Sequence, residues 1–135
     1  MGKGNTTEND LMKFMFNATA MPSYGANLYL ALHNADPTDT GTQETNETNY
    51  TNYTRIAISR DAAGWDVVDN QASNKSLAQF PQCGASGDTI THVSIGTSST
   101  GAGQILYYGS LTDSLVVSNL VQPQFAVASL VITED

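Results

Sequence analysis

The feature that most constrains this chain is a two-residue period. Leu28-Tyr29-Leu30-Ala31-Leu32-His33 places three leucines on one side and Tyr29 and His33 on the other, an arrangement that only an extended strand keeps on two faces. Comparable runs recur at residues 53–60, 65–68, 76–80, 89–95, 104–108, 115–118 and 125–133. Turn-forming Gly, Asn and Asp residues separate them at spacings of roughly 8–14 residues, the signature of a sandwich or barrel. Residues 125–133 form the longest run. Phe125, Val127, Ser129 and Val131 share one face and Ala126, Ala128, Leu130 and Ile132 the other, so it is expected as a single strand buried on both sides.

Composition supports the same class. Thr (16), Ser (12) and Asn (11) together make 39 of 135 residues, while charged residues make only 13%. Short polar side chains hydrogen-bond locally and suit turns, caps and exposed strand faces rather than helix interiors. One short helix is predicted over about residues 8–19, with Thr6 and Thr7 as N-caps and Glu8 and Asp10 in the first turn. Its apolar face carries Leu11, Phe14, Met15 and Ala18, and Pro22 and Gly25 end it. The expected organisation is a flexible lead and helix over 1–26, then a β-sandwich over 27–135.

Charge excludes several partners. Five Lys and Arg against 13 Asp and Glu give a net charge of −8, and Lys75 is the sole base after Arg60. Seven acids share that stretch: Asp61, Asp66, Asp69, Asp88, Asp113, Glu134 and Asp135. A nucleic-acid binder needs several cations to displace counterions from phosphates, and an anionic membrane surface demands the same. Neither partner is expected. A lone cysteine, Cys83, rules out an intramolecular disulfide. Glu8, Asp10 and Lys13 interrupt the apolar run near the N-terminus, so it does not read as a signal peptide.

Chemistry-bearing residues are sparse. His33 and His92 lie in predicted strands without the spacing of a metal motif. A Cys83–His92 nucleophile pair would need an orienting third group and an oxyanion site; the expected roles are structural. Residues 36–41, with Glu44 and Glu47 nearby, gather oxygens but do not follow the EF-hand order. They read as turn formers, Asp36 before Pro37 and Asp39 in an Asx turn. Gly96, Gly101 and Gly103 lack the Lys-Ser/Thr of a phosphate loop and are expected in a hairpin turn. No metal or cofactor is expected. Tyr50, Tyr53 and Tyr108 suit either sugar stacking or a protein interface, and Trp65 is expected in the core.

Several segments, in order, resemble a family of small tailed-phage virion proteins. They are LYLALHNADPT over residues 28–38, Tyr53-Thr54-Arg55, Phe80-Pro81, Thr91-His92-Val93-Ser94-Ile95-Gly96, a glycine-bounded strand from Gly103 to Leu111, and the closing Ile132-Thr133-Glu134-Asp135. The resemblance begins at about residue 7 and covers nearly the whole chain. Members are often labelled tail fibre proteins, and some are similar to capsid cement or head-decoration proteins with a jelly-roll fold. The Asn/Thr-rich loop at 42–54 is more polar than the family's usual connection.

The resemblance implies a jelly-roll-like sandwich of about eight strands. It also implies a structural, non-enzymatic role on the outer capsid surface, with the major capsid protein and further copies of the chain as partners. The alternative is a tail-fibre or tail-tip module binding host glycan through Tyr50, Tyr53 or Tyr108. The expected subunit contacts are Leu11, Phe14, Met15, Tyr50, Tyr53 and Tyr108. A helix this short is marginal in water alone, so its apolar face is expected to dock on a neighbouring subunit rather than on its own sandwich.

Overall fold

The computed structural model describes all residues, Met1–Asp135. Ten strands and one helix follow in the order β1 (Gly2–Lys3), α1 (Asn5–Asn17), β2 (Asn27–His33), β3 (Ile56–Ser59), β4 (Trp65–Val68), β5 (Gln71–Asn74), β6 (Ala78–Gln79), β7 (Asp88–Gly96), β8 (Ile105–Val117), β9 (Gln124–Phe125) and β10 (Val131–Thr133). They make an antiparallel five-stranded sheet, β1-β8-β7-β2-β3, together with a three-stranded sheet, β10-β5-β4, and a two-stranded pair, β6-β9. The protein is mainly β, as the alternation predicts, with its strands in sheets of five, three and two.

The register of β2 on β7 sorts the large sheet into two faces. Leu30 lies opposite Ile95 and Leu32 opposite Val93, whereas Tyr29 meets Gly96, Ala31 meets Ser94 and His33 meets His92. The first set joins Trp65, Phe80, Ile90, Val117, Leu130 and Ile132 in one apolar core. Its aromatic spine runs from Tyr50, edge-on to Tyr53 at 5.3 Å, to Phe80 stacked on Tyr53 at 6.3 Å and Phe125 beyond. The second face is just as buried, since Ala31, His33 and Ser94 are fully enclosed. Its cover comes from the Asn/Thr-rich loop, through Gln43 and Thr45.

The structure departs from the sequence expectations in four places. The first residues are not a flexible lead: Gly2 pairs with Tyr108 and Lys3 with Tyr107. Helix α1 therefore starts earlier, after Gly4, without a side-chain cap. Thr7 lies inside the helix and turns its hydroxyl to the Ile105 carbonyl at 2.9 Å. Residues 71–74, expected within a loop, form β5, and residues 105–117 form one continuous strand where two were expected, at 104–108 and 115–118.

The fourth departure is the largest. The long strand expected over 125–133 is broken into β9 and β10 by a turn with Ala128 at φ 59°. The cause is Asn74, only 1% exposed. Its amide donates to the Ala126 carbonyl at 2.9 Å and its oxygen accepts from Leu130 N at 2.9 Å. The Asn74 carbonyl also accepts from Ala128 N. A buried side chain distant in sequence has offered this backbone a better set of partners than a ladder would.

Candidate functional site

Helix α1 is held to the body at its first turns. Asn5 N donates to the Asp39 carbonyl, and the Gln104 amide donates to Thr7 Oγ1 at 3.0 Å and Asp10 Oδ2 at 3.1 Å. Thr7 is its one buried residue. Beyond that, Leu11 is half-buried, while Phe14 is 54% and Met15 61% exposed. Met12 and Phe16, at 54% and 74%, extend the exposed arc. Sequence reading missed these two because it sought one narrow stripe, whereas a run of five large apolar residues at 11–16 spreads round more than half of a helix.

One concavity is lined by this arc, and a second shares a residue with the first. A groove of about 620 Å³ lies between Leu11, Met12 and Met15 of α1 and Tyr107, Glu134 and Asp135. Tyr107 is also part of a second, mainly apolar cavity of about 540 Å³, walled by Leu28, Trp65, Val67, Ala72, Leu106 and Ile132 and rimmed by Arg60, Asp61 and Asp66. Glu134 ties the chain's two ends together, accepting hydrogen bonds from Lys3 Nζ and Tyr107 Oη. Those bonds hold its carboxyl below the usual pKa. Burial, and then Glu134, push the Tyr107 hydroxyl up. The closing Ile132-Thr133-Glu134-Asp135 segment thus closes the domain.

The tyrosines divide differently from expectation. Tyr50 is 2% exposed and donates to the Pro81 carbonyl at 2.6 Å; burial pushes its pKa up to about 12. It is a core residue, which corrects its place among the surface contacts. Tyr53 is likewise committed to the interior. Its hydroxyl accepts from Leu32 N at 3.1 Å and donates to Glu47 Oε1 at 2.7 Å. Tyr108 is half-buried beside β1. The Tyr53-Thr54-Arg55 segment has a structural purpose, because Arg55 takes Glu47 in two bonds of 2.7 and 2.8 Å. It also donates to the Ser98 and Gly101 carbonyls, clamping the turn before β8 to the polar loop.

The remaining candidates are dispersed. Cys83 is buried and its thiol donates to the Gly84 and Ser86 carbonyls, while His92 Nδ1 faces Thr91 Oγ1 at 2.8 Å. The two share no hydrogen bond. No three His, Cys, Asp or Glu side chains converge as a metal site. Asp36, rather than Asp39, makes the Asx turn, accepting from Thr38 N at 2.8 Å. Gly101 does sit in the turn at φ 78°. Gly96 and Gly103 serve another end, since a methyl on either would overlap the Gln43 side chain.

The geometry is that of a mainly β domain with a tied-down core and an apolar helix arc left exposed. The chain matches, over residues 2–133, the family described as Podophage GP4 fiber I protein gp80, and it belongs to that family. It is therefore a fibre-type structural component of a phage virion. None of the curated proteins compared with the chain matches it.

Proposed function

We propose that this chain is a non-catalytic subunit of the virion exterior, seated on the head shell as a cement-type decoration that bridges major capsid subunits. The observation that supports this reading is the spread of exposed apolar side chains over separate segments. Besides α1, Val67 and Val68 of β4 are 72% and 67% exposed, and Val116, Leu120 and Val127 are 67%, 69% and 59% exposed. Single exposed apolar residues are ordinary; several groups of them fit a subunit with more than one neighbour. Binding the assembled lattice but not free or burst shells stabilises that lattice by linkage. A specific contact needs about 1,000 Å² or more, which favours bridging over a single footing.

A second reading, a fibre subunit carried on the tail, is favoured by the family's description as a fibre protein. Its glycan-binding form loses Tyr50 to the core, and the hydroxyl of half-buried Tyr53 is taken by Leu32 N and Glu47, which leaves Tyr108. Copy number separates the two. Gel densitometry of purified particles should give this chain a band comparable with the major capsid protein. A ratio matching the small multiples of a symmetric tail would overturn the head-shell reading.

A further inference from the structure

We infer that the tract formed by the α1 groove, Tyr107 and the adjoining cavity is filled by α1 of a second copy of this chain. The proposal rests on reading the exposed arc of α1 as a protein contact, and it names what makes that contact. One molecule carries both halves of the fit. Met12, Phe14, Met15 and Phe16 are unburied knobs, and the same chain carries a mainly apolar cavity of about 540 Å³ that none of them lines. Tyr107 lines both concavities, so the groove beside the helix and the cavity meet at one side chain. Two copies can therefore each give a helix and receive one in a single closed contact. This is the helix-in-groove mode of recognition.

Area agrees with that occupant. The helix bears Glu8, Asp10 and Lys13 around its apolar arc, and the cavity rim bears Arg60, Asp61 and Asp66. Both surfaces therefore carry both signs, although Asp66 already faces Lys75 at 3.3 Å and Asp10 accepts from Gln104. An aromatic side chain buries about 150–250 Å² in all, so the exposed parts of Phe14 and Phe16 offer roughly 100–150 Å² each. With the two methionines and the groove wall, and with the contact made twice, the total reaches the roughly 1,200–2,000 Å² of a stable pair. The net charge of −8 on each copy opposes the approach, so association should tighten as salt screens it.

The test uses the full chain in sedimentation equilibrium at about 0.15 M salt. Self-association is expected, and Phe16→Ser and Met12→Ser should each weaken it at least tenfold. Both side chains are mostly exposed, so the thermal midpoint of the dilute monomer should stay put. A Phe16→Cys chain mixed with a Val67→Cys chain should cross-link on oxidation faster than either alone. A chain that stays monomeric at about 0.1 mM would overturn the proposal, as would association indifferent to both serine variants or absence of that cross-link. Copy number in the particle is read independently, so failure here leaves the virion reading to its own test.

Discussion

At their centres the two faces of the five-stranded sheet are equally buried and differently built. On one, Leu30, Leu32, Val93 and Ile95 meet Phe80, Trp65 and Ile132 through contacts that have no direction. On the other, Ala31, His33 and Ser94 are enclosed by a loop of Asn, Thr and Gln whose groups must each find a partner. His33 Nδ1 reaches the Thr45 carbonyl and Gln43 Oε1 accepts from Ser98 N. Burial by water exclusion tolerates approximate fits, whereas burial of polar groups is costly wherever one partner is missing. The first face should lose stability in proportion to volume removed, and the second in proportion to partners stranded.

The largest effect is expected on the apolar face. Phe80 is fully buried at the centre of the aromatic spine, and Phe80→Ala should cost about 3–5 kcal/mol through transfer and cavity terms. Urea titration should show the midpoint falling at constant slope. Next comes Arg55, whose side chain is 3% exposed against 16% for Glu47. Arg55→Ala strands a carboxylate and should cost about 3 kcal/mol, yet replacing both partners by Met should recover most of that loss. A double variant as unstable as the single one would show that the Arg55 bonds to the Ser98 and Gly101 carbonyls, not the isolated charge, set the cost.

What was legible in the sequence follows the same division. Strands β2 and β7 were readable because Leu30, Leu32, Val93 and Ile95 alternate with smaller or polar residues, and a one-residue slip would expose them all. Strand β5 was not, because Gln71-Ala72-Ser73-Asn74 has no apolar period; pairing with β4 and β10 puts it in a sheet. Asn74 acts on residues more than fifty positions away, and no local window contains that information. Of the apolar knobs of α1, Phe14 and Met15 could be named from their spacing, whereas Met12 and Phe16 lie outside the stripe it defines. The cavity could not be named, since β2, β4, β5, β7, β8 and β10 all contribute to its wall.

A smaller effect tests how tightly the polar face is fitted. Gly96→Ala would place a methyl against the Gln43 side chain, and overpacking of this kind costs about 1–3 kcal/mol. Gln43→Ala alone removes two hydrogen bonds, to the Tyr29 carbonyl and from Ser98 N. Together the two substitutions should cost less than their sum, because the second clears the space the first needs. Strict additivity in a double-mutant cycle would mean that the loop moves aside freely and the face is loosely packed.

The smallest effect is a dependence on pH carried by His33. The residue is fully enclosed, and a carbonyl can only accept, so Nδ1 bears the proton toward Thr45 while Nε2 accepts from the Ser94 hydroxyl at 2.8 Å. Burial holds its pKa below the usual 6.5, and the Thr45 carbonyl and Glu47 only partly offset that. In the unfolded chain the ring titrates near 6.5. Above that pH neither state is protonated and the histidine adds no slope. As pH falls below it, the unfolded chain takes up a proton that the folded chain refuses, so stability declines by at most about 1.4 kcal/mol per unit. The decline ends once pH passes the depressed folded value. Stabilities from urea titrations at about pH 7.5 and 5.5 should therefore differ more for the native chain than for His33→Gln, by at most about 1.4 kcal/mol. Equal differences would mean that the ring reaches solvent and that the loop opens over this face before the core unfolds.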